Sequence, residues 1–199
     1  MDANLNDAEK PGRGRPRAFD TETALEIGLR MFHASGYDAV GLGALTDALG
    51  IKPPSFYAAF GSKVAFFERV LDLYARTVLP IDDVLREDRS AAEALTDLLE
   101  RAARTYSRDP SRTGCLVLET ARGNAADESV ALARAVTEVR RARIRTFVAR
   151  THPDCARAVT DYVTTVMSGL SGRSREGLSQ ARLLAVARTA AVGLGALLA

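Results

Sequence analysis

The side chains able to do chemistry in this chain are few, and their pattern does not suit bond-making. There are two histidines, His33 and His152, and two cysteines, Cys115 and Cys155. No nucleophile stands with a base in a catalytic arrangement, and no group of His, Cys, Asp or Glu has metal-ligand spacing. Gly193-Leu194-Gly195 lacks the preceding strand that a dinucleotide loop needs. No catalytic residue, metal or cofactor is therefore expected. What the chain does carry is chemistry for holding anions. Lys10, Arg13, Arg15 and Arg17 run without an intervening acid, and Lys52, Ser55, Tyr57 and Lys63 fall within one short stretch. Ammonium, guanidinium and hydroxyl groups are the donors that meet phosphate oxygens.

The stretch Leu42–Lys63, LGALTDALGIKPPSFYAAFGSK, must position four of these groups. It reads as a helix over Leu42–Leu49, a turn at Gly50–Lys52 and a second short helix from Pro53-Pro54 to Phe60-Gly61. Gly50 supplies the backbone freedom for a sharp turn. Pro54 suits a first helical position, where its missing N–H goes unmissed. Helical spacing puts Phe56 and Phe60 on one buried face, with Pro54, Ser55 and Ala58 pointing away and Tyr57 and Ala59 flanking. So short a helix is marginal alone. Other elements must hold it, and its small outer face suits entry into a major groove.

Those other elements are helices. The spacing of Leu25, Gly28, Leu29 and Phe32 predicts a helix over Thr23–Ser35, capped from Asp20 or Thr21 and closed by Gly36. His33 on it has no evident partner and reads as a surface or packing residue. Leu42, Leu45 and Leu49 join Phe56 and Phe60 in a three-helix core. Ser62 can cap a fourth helix, Lys63–Val78, bearing Phe67, Val70, Leu71 and Tyr74 on one side. Ser90 to Glu93 form a capping box, followed by Leu95, Leu98, Leu99, Ala102 and Tyr106 at helical spacing. Further helices are expected over about 115–122, 127–150 and 154–170, and from 179 to the end. No strand alternation appears, so the chain is all-α.

Thr23–Gly36, Tyr37, Asp47–Ile51, Ser55-Phe56-Tyr57 and Phe60–Lys63 agree in order and spacing with one family. Over roughly residues 15–75 the chain resembles the N-terminal domain of the tetracycline-repressor (TetR) family. The resemblance implies an N-terminal three-helix helix-turn-helix DNA-binding domain and a C-terminal helical ligand-binding and dimerisation domain. The divisions it suggests are a basic arm at 1–18, the helix-turn-helix at 19–62, a linking helix at 63–79 and the remainder at 80–199. By the same resemblance Tyr57 and Lys63 contact phosphate. Arg15 and Arg17 would reach the minor groove or the backbone. Lys52, Pro54, Ser55 and Ala58 face the bases, Lys52 and Ser55 being suited to base edges and Ala58 to thymine methyls. Gly41 departs from the family pattern, standing where Ser or Thr commonly caps the second helix. Ala58-Ala59 replaces larger polar residues, so readout would lean on Lys52, the arm or DNA shape.

The implied function is a repressor that leaves a palindromic operator when a small molecule binds. The fourth helix would couple the two sites. The implied partners are double-stranded DNA, an effector and a second copy joined through the last two helices. Amphipathic position alone suggests Tyr106, Glu119, Tyr162 and Met167 for the effector pocket. Arg140, Arg141, Arg143 and Arg145 spread around their helix and read as a solvated face, with Arg122 or Arg143 as the alternative anion sites. Cys115 reads as a small buried hydrophobe rather than a thiol sensor. The formal charge of +2 does not by itself announce a nucleic-acid binder. The N-terminus lacks the apolar run of a signal peptide, and Leu183–Ala199 is broken by Arg188. A cytoplasmic location is expected. An all-α small-molecule binder or adaptor that no longer uses DNA remains the alternative.

Overall fold

A computed structural model describes residues 20–199, and within them the chain folds into nine α-helices and no strand. Arg15 and Arg17 lie outside the described residues. Helix α1 (Thr21–Ser35) begins where the Asp20 carboxylate accepts the Glu22 N–H at 3.0 Å. Helix α2 (Leu42–Leu49) ends at Gly50, whose φ of 64° and ψ of 30° let its N–H close onto the carbonyls of Thr46 and Asp47. Pro53 and Pro54 are the first two residues of α3 (Pro53–Phe60). Ser62 caps α4 (Lys63–Thr77), its hydroxyl accepting the Ala65 N–H at 3.0 Å. A short 3-10 turn, Ile81–Asp83, absent from the sequence reading, leads to α5 (Ala91–Ser107), which starts at the expected Ser90–Glu93 capping box.

Helices α6 (Leu116–Ala121), α7 (Glu128–Ala149), α8 (Ala156–Arg175) and α9 (Gln180–Leu197) complete the body. Helix α8 runs past the expected end at Leu170. Ser171 accepts the Cys115 N–H at 2.8 Å, and Ser174 donates to the Tyr106 carbonyl at 2.6 Å. These tertiary bonds hold a Ser- and Gly-rich turn helical against its weak propensity.

Helix α4 packs against α1 on one side and against α6 and α7 on the other. Its N-terminal half supplies Phe66 and Phe67 to an aromatic cluster with Phe32, Tyr37, Phe56 and Phe60. Its C-terminal half buries Val70, Leu71 and Tyr74. Close approach of α1 to α4 requires Gly28, because a Cβ there would lie 2.4 Å from the Phe66 ring. The buried core therefore continues without a break from Ala24 to Leu194.

His33 is a packing residue, one of the two roles its sequence allows, and it has a partner the sequence does not show. It is buried, its Nε2 lies 3.2 Å from the Gly114 carbonyl oxygen, and its ring meets the Tyr74 ring edge-on with centroids 5.5 Å apart. It ties α1 to the α5–α6 loop. Among the described residues no helix is long and apolar enough to cross a membrane, and no group of three or more His, Cys, Asp or Glu could hold a metal.

Candidate nucleic-acid interface

Helix α3 is held from behind and open in front. Phe56 is fully buried and Phe60 nearly so, and both meet Phe66 of α4 edge to face. Lys52, Pro53, Pro54, Ser55, Tyr57, Ala58 and Ala59 are all exposed. The outward residues expected from sequence, Pro54, Ser55 and Ala58, are exposed together with the flanking Tyr57 and Ala59 and the preceding Lys52. The start of α3 has little backbone left to offer. Its two prolines have no N–H, and the Ser55 and Phe56 N–H groups both turn inward to the Lys52 carbonyl at 2.9 and 3.1 Å. Recognition by this helix falls to side chains.

Beside it, α2 exposes Gly43, Ala44, Asp47 and Ala48. No side chain caps its N-terminus at Gly41, leaving its first N–H groups and the positive end of its dipole toward solvent. Lys63 sits at the start of α4 but folds back. Its Nζ donates to the Tyr37 carbonyl at 2.7 Å and lies 3.9 Å from the centre of the Tyr37 ring. Partial burial lowers its pKa slightly, opposed by Asp38. Two ammonium protons remain for another acceptor.

The body contains a cavity of about 200 Å³ among α5, α6, α7 and α8. Tyr106, Cys115, Thr137, Arg140, Ile144 and Met167 line it. The Tyr106 and Tyr74 hydroxyls are buried against the Cys115 thiol, and neither meets an oxygen or nitrogen partner among the described residues. Burial pushes both phenols well above their ordinary pKa, so both keep their protons.

Two of the four pocket residues expected from sequence, Tyr106 and Met167, line this cavity, and two do not. Tyr162 donates to the Ala190 carbonyl at 2.9 Å, clamping α8 to α9. Glu119 accepts from Arg122 at 3.0 Å and from Ser171 at 2.6 Å and lines a separate polar cleft beside α1. Amphipathic position told that both face inward but not which space they face.

The arginine run also divides. Arg143 pairs with Asp82, Arg141 with Asp161 at 2.6 Å and Glu138 at 3.5 Å, and Arg145 is exposed. Arg140 turns inward and donates to the Leu79 carbonyl. The sequence carried a signal for this: Thr137, Arg140, Arg141 and Ile144 repeat at i, i+3, i+4 and i+7, one helix face. Cys115 is buried, as read from sequence.

Two short helices crossing at a glycine turn, the second presenting a small outer face from an all-helical body, define a helix-turn-helix protein. Residues 24–70 match the family model described as bacterial regulatory proteins, tetR family. Over 181 residues the chain is 45% identical to the HTH-type transcriptional repressor BdcR of Escherichia coli (strain K12), covering 89% of this chain and 90% of that one. It is 28% identical to the transcriptional repressor ComR of the same organism, covering 90% and 91% of the two chains. A solved structure of the TetR family regulator CifR, a cysteine mutant complexed with 26-base-pair operator DNA, superposes with a TM-score of 0.76 at 35% identity over 89% of this chain and 98% of that one. The chain belongs to the TetR family of transcriptional regulators.

Proposed function

We propose that this protein is a DNA-binding transcriptional repressor that acts as a homodimer on a palindromic operator and leaves it when a small molecule binds in the C-terminal body. The observation that carries the reading is α3, with Phe56 and Phe60 anchored in the core and its opposite face exposed and free of bulky side chains. Tyr57 and Lys63 take phosphates, the latter by leaving or sharing the Tyr37 carbonyl. Lys52, Pro54, Ser55 and Ala58 meet the bases, and Arg15 and Arg17 extend the contact from the arm. The names of BdcR and ComR as repressors and the operator complex of CifR support the same reading.

The working divisions are 19–62 for DNA binding, 63–79 for the linking helix and 80–199 for effector binding and dimerisation. For the dimer face, α9 offers Val186 at 48% and Val192 at 77% exposed, on a helix otherwise rich in small residues. A two-fold axis would set two copies of α3 about one DNA turn apart, ~34 Å. The chemistry is recognition, carried out in the cytoplasm and without a cofactor.

Selection of bound duplexes from a random library tests this, followed by affinity against salt. Recovery of a palindrome with steep loss of affinity as salt rises is expected. A folded dimer that enriches no sequence would overturn it.

A further inference from the structure

Resting on the effector reading above, we propose that the cavity among α5–α8 takes a small monocarboxylate, an apolar body bearing one acid group, and that Arg140 both reads its charge and reports it to α4. A designed apolar cavity of about 150 Å³ holds benzene, so a space of about 200 Å³ suits a ligand of ~8–12 non-hydrogen atoms. Val117, Ile144 and Met167 supply apolar wall.

The polar groups select for an anion. Arg140 lines the cavity and has no carboxylate within 4 Å among the described residues, whereas its neighbour Arg141 is neutralised by Asp161 and Glu138. A guanidinium has five N–H donors, and Arg140 places one on a carbonyl, leaving enough for the paired bonds that match a carboxylate. The Tyr106 hydroxyl, buried, protonated and facing only the weak Cys115 thiol, is a further donor lining the same space. A neutral ligand would leave the guanidinium charge uncompensated.

The same residues touch α4. The Arg140 guanidinium holds the Leu79 carbonyl just beyond the end of that helix. A carboxylate that takes the remaining donors draws the guanidinium into the cavity, away from the Leu79 carbonyl, and so loosens the end of α4 from α7. Tyr74 of α4 lies beside Tyr106 and Cys115 on one side and against His33 of α1 on the other. Occupancy therefore acts on the helix that also carries the Phe66 support of α3.

Benzoate, 3-phenylpropionate and octanoate, each beside its uncharged amide, test the proposal by calorimetry and thermal shift on the full chain. At least one acid should bind tenfold or more tightly than its amide. Arg140→Met should bring acid and amide within about threefold. Tyr106→Phe removes a hydroxyl with no oxygen or nitrogen partner, should leave the melting midpoint close to wild type, and should weaken the acid about fivefold. The acid that binds should also lower affinity for the selected operator by tenfold or more in the wild type and not in Arg140→Met. Equal binding of acids and amides, a preference that survives Arg140→Met, or no binding of any acid would overturn the proposal. Acid binding without operator release would overturn its link to α4. Acid binding by a protein that selects no DNA sequence would instead remove the operator reading and leave the site standing.

Discussion

His33 shows how burial changes what a residue does. A carbonyl can only accept, so the Nε2 facing Gly114 carries a proton. Burial foremost, and then Arg112 and Arg175, lower its pKa, while the Gly114 carbonyl and Asp109 oppose them. The folded state thus binds fewer protons here than the unfolded chain. Its contribution to stability is present above about pH 6.5, the ordinary value for histidine, and is lost as pH falls below it. Carboxylates are not the source of change in that window; Asp109, for one, is held down to about 2 by Ser111 and Arg112. The thermal midpoint should fall between pH 7 and pH 5.5, and His33→Gln, which keeps a donor but cannot titrate, should flatten that fall. At the interface Tyr57 is half exposed and its ring only borders Phe56, so Tyr57→Phe should leave the fold intact. Loss of one hydrogen bond to a charged phosphate costs about 1.5 kcal/mol, roughly tenfold in affinity. Anisotropy titrations should show this loss equally on operator and unrelated duplexes, since phosphate contacts carry no sequence.

Among the elements, the α1–α4 contact is the least forgiving. Gly28→Ala forces a methyl to within 2.4 Å of the Phe66 ring, which is itself packed by Phe32, Phe56 and Phe60. Overpacking of this kind costs about 1–3 kcal/mol. The urea midpoint should drop with little change in slope, and operator affinity should fall with it because Phe66 backs α3. The bounds of α2 and α3 were legible from residues within them, since Gly50, the paired prolines and Gly61 act locally. The end of α8 was not, because Ser171 and Ser174 find their partners 56 and 68 positions away in sequence. The His33 contact spans 81 positions and was invisible for the same reason. Of the four residues expected at an effector pocket, Tyr106 and Met167 line the cavity among α5–α8, while Tyr162 and Glu119 face other neighbours. Arg140 is hidden in the sequence by its run of arginines, although its i, i+3, i+4, i+7 companions mark it as inward.

At the scale of the whole molecule, one copy carries too little reading surface to find an operator. Linking two half-sites raises avidity by ~10²–10⁴ without any new contact. Val192→Asp places a charge in the exposed apolar face of α9, far from α3 in sequence. Sedimentation should then report a folded monomer, and operator affinity should fall by about 100-fold or more. The outer face of α3 has a different kind of consequence. Ala58 and Ala59 leave part of it nearly bare, while Lys63, proposed above to take a phosphate, stands on the next helix. On the proposed reading, address can change at the alanines without touching that grip. A new operator preference is then reachable by changing one or two exposed alanines, with the fold and the response to salt left as they are.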